Sequence, residues 1–507
     1  RVSMSLLERR RLLTSGAAAA VFAASGVPGL ALPKRGGLLR AGLSGGSPTD
    51  TWDGRTHRGL FMIAAAQGAV FDTLTEVAPD GSLRGELATR WQAGADARVW
   101  TLDLRRDVVF HNGKLFSAED VIASLRLHLD PKVASPARAL VAMITEMRAT
   151  KLHQVRFKLA RGNADFPYLL ADYHLLMYPA GQIAQAMAEG IGTGLYRVEC
   201  FKPGQRFIGR RVQNHYREGQ AGWFDEVDFT ALESLAARRT ALQERRIDVA
   251  DHLSDAGPEN DTIQIKRVTG NQHLALSVPV QLDSATGGHL ARALKHGIDR
   301  QFVLDAMFDG FGRIASDSPI GPANRYYHSA LMPLQFDTDR ARYHLKKAKM
   351  DQASLAIILS DKSPLFTAAA GAVFRKLASN IGLDLQHMRG EAQNKMADLS
   401  LSLCYGRVTE DWMFSAGSPA GPVGVSGACH QRRFVQLQTA ARSEMDSAKR
   451  ADYYAEMQLI ARNDGTMIAP VFVDFSHAVH RRLASPERIG NLWPLDNARL
   501  AERWWMA

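Results

Sequence analysis

The sequence has few cysteines and lacks most of the short motifs that mark catalytic or metal-binding proteins. Its three cysteines, Cys200, Cys404 and Cys429, are far apart in 507 residues and form no CxxC pair, so neither a zinc site nor a redox-active dithiol is indicated. No HExxH, SxxK, P-loop or GxGxxG pattern occurs, although these mark metalloproteases, acyl-transfer enzymes and nucleotide-binding proteins. We therefore predict that the chain is not an enzyme and holds no cofactor or metal.

Clustered charge and long apolar runs are also missing from most of the chain. The formal net charge is +10, but acidic residues are interspersed with Arg and Lys, and no basic stripe interleaved with aromatic residues is present. Beyond the N-terminus, no stretch approaches the roughly 20 strongly apolar residues that a membrane helix needs. With 46% hydrophobic residues, the composition is that of a globular protein that does not bind nucleic acid.

The N-terminal segment has the pattern of an export signal. Arg9-Arg10-Arg11 is followed by an apolar stretch rich in Ala and Gly, and Gly29-Leu30-Ala31 offers small residues at the two positions that a signal peptidase reads. We expect residues 1–31 to be a twin-arginine signal peptide and the released protein to be periplasmic. A membrane anchor is the alternative, but the stretch is short and low in strongly apolar residues.

After residue 31, short β-type runs alternate with amphipathic helical patterns, which predicts an α/β fold. The run Trp100–Leu104 alternates apolar and polar residues, as in a strand with one buried face. Ser117 with Asp120 predicts the N-terminal cap of a helix that ends before Asp130-Pro131. A chain of 507 residues exceeds the size of a single core, so two or more lobes are expected.

The segment from Glu86 to His128 resembles the most distinctive part of the family-5 extracellular solute-binding proteins, which include receptors for dipeptides, oligopeptides and nickel complexes. The family pattern "LA-x-x-W … V-x-FH-[DN]-G-x-x-[FL]-[ST]-A-x-DV-x-x-S" is matched in order by Leu87-Ala88, Trp91, Val109–Gly113, Phe116–Val121 and Ser124. Further blocks are similar to later family motifs: Gly192–Tyr196, with Leu195 in place of the usual proline, Asn214–Tyr216, Phe224–Val227, Arg246–Val249 and Gly297–Arg300. The resemblance covers nearly all of residues 38–475.

This resemblance implies a two-lobed periplasmic binding protein of type II, similar to cluster C, with an extra subdomain in its first lobe. We expect lobe I at residues 32–271, with the subdomain at about 76–190, lobe II at 272–472, and a C-terminal return to lobe I at 473–507. Two crossing strands, near Gln272–Val278 and Pro470–Phe475, would form the hinge. The implied mechanism is closure of the two lobes around a solute.

The segment Gly406–Trp412 is the main candidate for the binding site. In peptide-binding relatives a similarly placed "GW-x-x-D" stretch supplies an aspartate for the α-ammonium of the ligand, and Asp411 is the corresponding candidate here. Arg407 is suited to hold a carboxylate, and Trp412 to form an apolar wall or to stack on a cation. Because Arg407 replaces the family's tryptophan, the solute need not be a plain peptide. The alternative is a surface ion pair of Arg407 with Glu410 or Asp411.

The resemblance adds four weaker candidates for solute binding. Ser44 and Gly45 follow the first strand, where their amides would face the cleft, unless they form a simple turn. Asp72 stands at the end of the first helix, where a structural role is the favoured alternative. Gly194 belongs to a loop near the cleft, and the neighbouring Tyr196 is expected to pack in the core.

The histidines and cysteines are expected to be structural. His111 is predicted to fix the Asn112-Gly113 turn, and His477 and His480 are not expected to bind a metal, because they fall on opposite faces of an extended segment. Since Cys404 and Cys429 both belong to the predicted lobe II, they are the candidate disulfide in an oxidising compartment. Cys200 would then be free and buried.

Together these features predict the substrate-binding component of an ABC importer. We expect a monomer that captures a small peptide or peptide-like solute and delivers it to a membrane permease. One alternative is the same kind of receptor for a non-peptide solute, such as an opine-like conjugate, a metal chelate or haem. A hydrolase and a receptor that signals through a sensor are the remaining alternatives.

Overall fold

The computed structural model describes residues 33–253, 262–278, 284–359, 364–387, 399–416, 424–425 and 428–507. The predicted signal peptide, residues 1–31, lies outside this range. Within it, no helix combines the length and the apolar character that crossing a bilayer requires.

The strands are short except for two. Numbered in chain order, they are β1 Leu38–Leu43, β2 Thr75–Val77, β3 Leu83–Gly85, β4 Ala88–Ala93, β5 Val99–Leu104, β6 Ile144–Lys151, β7 Gln154–Leu159, β8 Tyr196–Lys202, β9 Arg206–Arg211, β10 Glu226–Ala231, β11 Val249–Asp251, β12 Ile263–Ser277, β13 Gly312–Ile314, β14 Ser354–Leu359, β15 Asp384–His387, β16 Leu399–Cys404, β17 Met467–Ile468, β18 Val471–His480, β19 Leu483–Ala484 and β20 Trp505–Met506.

The helices surround the sheets, and the longest lie in the second half of the chain. They are α1 Leu60–Ala65, α2 Ala118–Leu127, α3 Arg138–Ala142, α4 Phe166–Leu169, α5 Ile183–Glu189, α6 Leu235–Gln243, α7 Ser284–Gly297, α8 Arg300–Phe308, α9 Thr338–Lys347, α10 Pro364–Ile381, α11 Glu410–Ala416, α12 Ala428–Ser443, α13 Ser447–Asp464 and α14 Leu500–Arg503. A 3-10 turn at Gly54–Thr56 and a π-helical turn at Ala66–Val70 complete the set.

Twelve strands form one mixed sheet that passes through the whole molecule. Its order is β15-β14-β16-β12-β18-β11-β1-β10-β9-β8, with β13 and β17 paired to β18 and β12. In lobe I, β1 is parallel to β10 and β11, and in lobe II, β14 is parallel to β15 and β16. Parallel pairs connected through helices are typical of α/β proteins. Each lobe therefore has its own α/β half of the sheet.

Two strands of this sheet connect the lobes. β12 pairs antiparallel with β18 along most of its length, and β18 continues onto β11 in lobe I while β12 continues onto β16 in lobe II. Their register shifts between Val268 and Gln272, an irregularity of the kind that bends a strand. The crossing expected near Gln272–Val278 is the end of the longer strand β12. The crossing expected near Pro470–Phe475 is the start of β18. The predicted lobe boundaries at residues 271 and 472 fall in or beside these strands and stay predictions.

The two lobes have separate hydrophobic cores, as independently packed units do. The core of lobe I includes Leu39, Phe71 and Trp504, whereas the core of lobe II includes Leu276 and Leu377. Each core is therefore intact without the other lobe, which leaves the lobes free to change their relative orientation.

A four-stranded antiparallel sheet, β4-β5-β7-β6, forms a subdomain of lobe I. The predicted alternation in Trp100–Leu104 is confirmed, because Trp100, Leu102 and Leu104 are buried in β5. The predicted cap of α2 is also confirmed: Oδ2 of Asp120 accepts a hydrogen bond from the backbone N–H of Ser117 at 2.8 Å.

A buried ionic cluster fixes the C-terminal residues to the rest of lobe I. Arg499 donates to both carboxylate oxygens of Glu86, at 2.6 and 3.0 Å, and to Glu502 at 2.9 Å. Burial raises the pKa of Glu86 to about 7, even though the charge of Arg499 opposes the shift. Arg503 pairs with Glu76 beside this group at 2.5 Å. The last turn of the chain is thus held by charges that are removed from water.

Replacing Arg499 should destabilise the protein far more than replacing an exposed arginine. Arg499→Met removes the nearest cation from the buried Glu86 and Glu502 and leaves them only their longer pairs with Arg217, so we expect a loss of about 3–5 kcal/mol in the free energy of unfolding. The matched control is Arg210→Met, which removes an exposed pair with Glu199 and should leave the free energy of unfolding nearly unchanged. Urea denaturation of both variants measures the difference, and equal losses would contradict a buried role for Arg499.

Candidate functional site

The predicted binding segment lies where lobe II meets lobe I. Residues 405–409 connect β16 to α11. The ring of Tyr405 stacks on the ring of Trp493, with 5.7 Å between centroids and 28° between planes. Trp493 belongs to the C-terminal return to lobe I and also contacts Tyr173 edge-on at 5.2 Å. Val408 packs against an apolar cluster that includes Val77 of lobe I. We call this contact region the lobe junction.

Arg407 is a half-buried cation at the lobe junction. Its guanidinium carbon lies 5.0 Å from the ring centre of Trp412, a cation–π contact. Arg407 forms no ion pair with a described carboxylate: Glu410 and Asp411 pair with other arginines, so the alternative surface pair is not formed. The positive charge of Arg407 also acts on Asp172 in lobe I. Burial raises the pKa of Asp172, but His174, and more weakly Arg407, outweigh burial and hold this pKa below its usual value.

Trp412 extends from lobe II to lobe I. Its half-buried side chain packs against the hydrophobic core of lobe I, while its ring faces Arg407. The structure thus brings together two of the predicted site residues, Arg407 and Trp412, at the surface on which the lobes close.

Asp411 points away from this pair and into lobe II. Its Oδ1 accepts hydrogen bonds from Nε of Arg442 at 2.8 Å and from Nε2 of Gln438 at 2.9 Å, and both partners are on α12. Burial raises the pKa of Asp411, although Arg442 opposes the shift. The carboxylate that we expected to meet an ammonium group already has a cation and a second donor.

Glu410 is also engaged within lobe II. Its side chain is fully buried, and Oε1 accepts from the backbone N–H of Tyr326 at 3.1 Å while Oε2 lies 3.4 Å from Nη2 of Arg325. Burial raises the pKa of Glu410. Glu410 thus positions Arg325.

An ionic contact that sequence reasoning missed connects the two lobes. Asp165, at the start of α4 in lobe I, accepts from Nη2 of Arg325 at 2.6 Å and from Nη1 of Arg450 at 2.9 Å, and both arginines belong to lobe II. Burial raises the pKa of Asp165, but the two guanidinium groups outweigh this effect and hold it below its usual value. The backbone N–H of Ala164 donates to the carbonyl of Arg442 at 2.6 Å. We call the group of Asp165, Arg325 and Arg450 the interlobe latch.

Ser44 and Gly45 form a packed turn instead of presenting their amides to the cleft. The N–H of Ser44 donates to Oδ1 of Asp251 at 3.0 Å, and its hydroxyl donates to Oδ2 at 2.5 Å. Gly45 has a φ of +80° and lies so close to Gly59 that an added Cβ would be 2.7 Å from the Gly59 Cα. The alternative of a simple turn is therefore the one that the structure favours.

The same turn contains a serine motif that the prediction of a non-enzyme wrongly took to be absent. Residues 42–46 have the spacing GxSxG, which in hydrolases presents a nucleophilic serine. Here the hydroxyl of Ser44 donates directly to Oδ2 of Asp251, and Nε2 of His252 lies 3.8 Å from the same oxygen. A catalytic triad needs the histidine between serine and carboxylate. This order does not activate Ser44.

Asp72 is buried in lobe I. Its Oδ2 accepts from Oγ1 of Thr193 at 2.8 Å, and burial raises its pKa. Asp72, Glu86 and Glu502 bring carboxylate oxygens within 4.8 Å of one another, a geometry that suits a metal ion. Arg499 already donates to Glu86 and Glu502, however, and its charge serves in place of a metal.

Gly194 and its neighbours are structural. An added Cβ at Gly194 would lie 2.3 Å from the carbonyl of Ala69, so only glycine fits. His111 binds the Gly194 carbonyl through Nε2 at 2.8 Å, and thus connects to that turn instead of fixing Asn112-Gly113 as predicted. Tyr196 is buried and donates to the carbonyl of Ala501 at 2.9 Å, as expected for a packing residue.

The cysteines and the C-terminal histidines add no site. Cys404 is buried and carries a free thiol, and Cys200 is free but only partly buried. The side chain of Cys429 lies outside the described residues, and the Cys404–Cys429 disulfide stays a prediction. His480 binds the carbonyl of Leu242 at 2.9 Å, and His477 accepts from the N–H of Leu495 at 3.2 Å.

The turn that carries Trp493 is strained and firmly held. Four successive residues, Leu495 to Ala498, have φ between +54° and +62°, a left-handed conformation that costs about 1–2 kcal/mol per residue. Oδ1 of Asn497 offsets part of this cost by accepting from the N–H of Leu492 at 2.9 Å. Strain of this kind persists only where the surroundings fix the backbone. Trp493 is therefore a rigid part of lobe I.

Two lobes with separate cores, joined by paired strands, define the class of two-lobed periplasmic binding proteins with mixed α/β sheets. The fold is similar to that of the periplasmic binding protein AgaA from A. tumefaciens R10, solved with agropinic acid, with a TM-score of 0.80 and 20% identity over 93% of this chain and 99% of that chain. It is also similar to DppA from Helicobacter pylori, solved with the peptide STSA, with a TM-score of 0.75 and 18% identity over 93% and 98%. The predicted two-lobed α/β fold is confirmed.

The chain belongs to the bacterial extracellular solute-binding proteins, family 5, because the model of the family's middle part matches residues 82–423. The nickel-binding periplasmic protein of Escherichia coli (strain K12) is 26% identical over 302 residues, which are 56% of this chain and 56% of that protein. The match thus spans about half the length of such curated relatives. The predicted family resemblance is confirmed.

Removing the charge of Asp165 should shift the ligand-free protein toward an open form. In Asp165→Asn the buried Arg450 and the partly exposed Arg325 lose their shared carboxylate, and the loss of one partner of a buried pair is typically worth about 3–5 kcal/mol. We expect a larger radius of gyration in small-angle X-ray scattering, with unchanged circular dichroism. The control Asp228→Asn removes an ion pair with Arg206 inside lobe I and should leave the radius unchanged. No difference between the two variants would show that the latch does not hold the lobes together.

Proposed function

We propose that the chain is the substrate-binding component of an ABC importer, which closes around a small peptide-like or other amphoteric solute and delivers it to a membrane permease. The observation that carries this proposal is the lobe junction, where Arg407, without a carboxylate partner among the described residues, meets lobe I. Two lobes joined by β12 and β18 can trap a solute there by hinge closure. Membership of a solute-binding family supports the same role.

The chemistry of the lobe junction supports a solute that carries a carboxylate and an apolar or planar part. Arg407 offers a planar fork of donors that matches a carboxylate, and the rings of Tyr405 and Trp493 offer flat apolar walls. Agropinic acid, bound by AgaA, and the peptide STSA, bound by DppA, are both compatible with this chemistry. Arg407 in place of the family's tryptophan favours the alternative of a non-peptide solute for the same receptor.

A binding role without catalysis is part of this proposal. The arrangement of Ser44, Asp251 and His252 does not form a triad, and Arg499 neutralises the carboxylate group that would best suit a metal. The N-terminal arginines and the apolar stretch after them support export by the twin-arginine route to the periplasm. A monomer that binds no nucleic acid is the simplest form of such a receptor.

The role of Arg407 is tested by pairing solutes with their carboxylate-blocked counterparts. We expect isothermal titration calorimetry to detect binding within a panel of dipeptides and agropinic acid, and amidation of the carboxylate to weaken it by at least about tenfold. In Arg407→Gln this preference for the free acid should disappear. The control Arg432→Gln changes an exposed arginine of lobe II and should retain it. A preference that survives in Arg407→Gln would contradict the proposal.

The predicted contact of Asp411 with an ammonium group has its own test. If Asp411 grips an ammonium, Asp411→Ala should weaken binding of a panel dipeptide by more than about 30-fold, as for the loss of a buried charge partner. If Asp411 serves only to position Arg442, the same variant should change the dissociation constant by less than about threefold. Calorimetry with a dipeptide and with its N-acetylated form distinguishes the two outcomes, because only the first requires the free ammonium.

A further inference from the structure

Lobe I contains a large open cavity that does not belong to the lobe junction. Its volume is about 620 Å³, and the hairpin of β2 and β3, the loop before β10 and the C-terminal strand β20 line it. Trp223 and Trp505 form part of its wall, with Pro79 and Pro486 beside them. No residue of the segment Gly406–Trp412 lines it. The cavity therefore combines an apolar wall with a position away from the site proposed above.

Arginines dominate the charge of this cavity. Two of them, Arg217 and Arg503, are neutralised by Glu76 and by other buried carboxylates. The other three, Arg84, Arg105 and Arg488, line the cavity without an ion pair to any described carboxylate. Unpaired cations that converge on one cavity repel one another, and an anion placed among them relieves this repulsion.

One of these arginines is already fixed in place. Nε of Arg105 donates to the carbonyl of Glu86 at 2.6 Å, and its guanidinium lies 4.8 Å from the ring centre of Tyr216. A guanidinium that is held in position loses little conformational entropy when it binds an anion. Asp80, the exposed carboxylate in the wall, is turned toward its own loop, because Oδ1 accepts from the N–H and hydroxyl of Ser82.

A buried donor provides a second, independent observation. The side chain of Trp505 lines the cavity and is only 7% exposed, yet its Nε1 has no hydrogen-bond partner among the described residues. A buried N–H that is left unpaired is destabilising, and most such groups have a partner. This indole N–H has almost no accessible surface, so an acceptor atom in the cavity reaches it only when the Trp505 side chain shifts.

We propose that this cavity binds a small organic anion. The acid group, a carboxylate or a phosphate, lies among Arg84, Arg105 and Arg488 and accepts from the indole N–H of Trp505. The apolar part of the anion packs against Trp223 and the ring of Trp505. The proposal does not depend on solute binding at the lobe junction, since it rests on different residues.

Calorimetry with simple probes tests this proposal at fixed ionic strength. Phenyl phosphate should bind, inorganic phosphate should bind more weakly because it lacks the apolar part, and benzyl alcohol should not bind because it lacks the charge. In Arg84→Gln/Arg488→Gln, the affinity for phenyl phosphate should fall by at least about tenfold, the usual effect of losing a charge-assisted hydrogen bond. Trp505→Phe keeps an aromatic ring and removes the donor, and should weaken binding by at least about threefold.

A matched control separates a site from general attraction to a basic protein. Arg98→Gln/Arg148→Gln removes the same charge from exposed positions of the subdomain and should leave the affinity unchanged. The thermal midpoints of the arginine variants should stay within about 2 °C of the parent protein, because none of the replaced arginines forms an ion pair with a described residue. Absence of binding up to about 10 mM phenyl phosphate, or equal losses in the control and in Arg84→Gln/Arg488→Gln, would overturn the proposal.

Discussion

The pairing of β12 with β18 is the constraint on which the rest of the structure depends. A single connecting strand would let the lobes turn in any direction, whereas two hydrogen-bonded strands restrict them to bending and twisting of a ribbon. The register shift between Val268 and Gln272 marks where this ribbon is least regular. An added Cβ at Gly270 would lie 2.8 Å from the ring of Phe475, so the ring covers the backbone at this point. The paired strands β12 and β18 thus keep one surface of lobe I facing one surface of lobe II.

The residues that meet across the lobe junction follow from this restriction. Arg325 lies between Asp165 of lobe I and Glu410 of lobe II, so it keeps a carboxylate neighbour when the lobes separate. Among the residues that the structure describes, the rings of Tyr326 and Tyr454 are the contacts that remain near the Arg450 guanidinium once Asp165 is removed. The two arginines of the interlobe latch therefore contribute unequally: Arg325 has a partner in either state, and Arg450 gains its carboxylate only on closure.

Local sequence patterns predicted the elements, and motif order predicted the fold. The alternation in Trp100–Leu104 and the cap formed by Ser117 and Asp120 depend on residues only a few positions apart, and both were predicted correctly. The candidate site was predicted less well, because its contacts join distant parts of the chain. Asp411 meets Arg442, 31 residues further on, and Asp165 meets Arg450 across 285 residues. Neither hydrophobic periodicity nor a helix-capping motif predicts contacts between residues so far apart in the sequence. Arg407 was identified because it departs from a motif, which is a local signal.

The stacking of Tyr405 on Trp493 means that the two lobes contact each other directly at the lobe junction. Trp493 is held by the left-handed turn that follows it, while Tyr405 moves with lobe II. A planar solute that enters the lobe junction must separate these two rings before it can take the place of either one. The stack of Tyr405 on Trp493 therefore competes with the solute for the same two ring faces. A solute is retained if it binds these two faces more tightly than the rings bind each other.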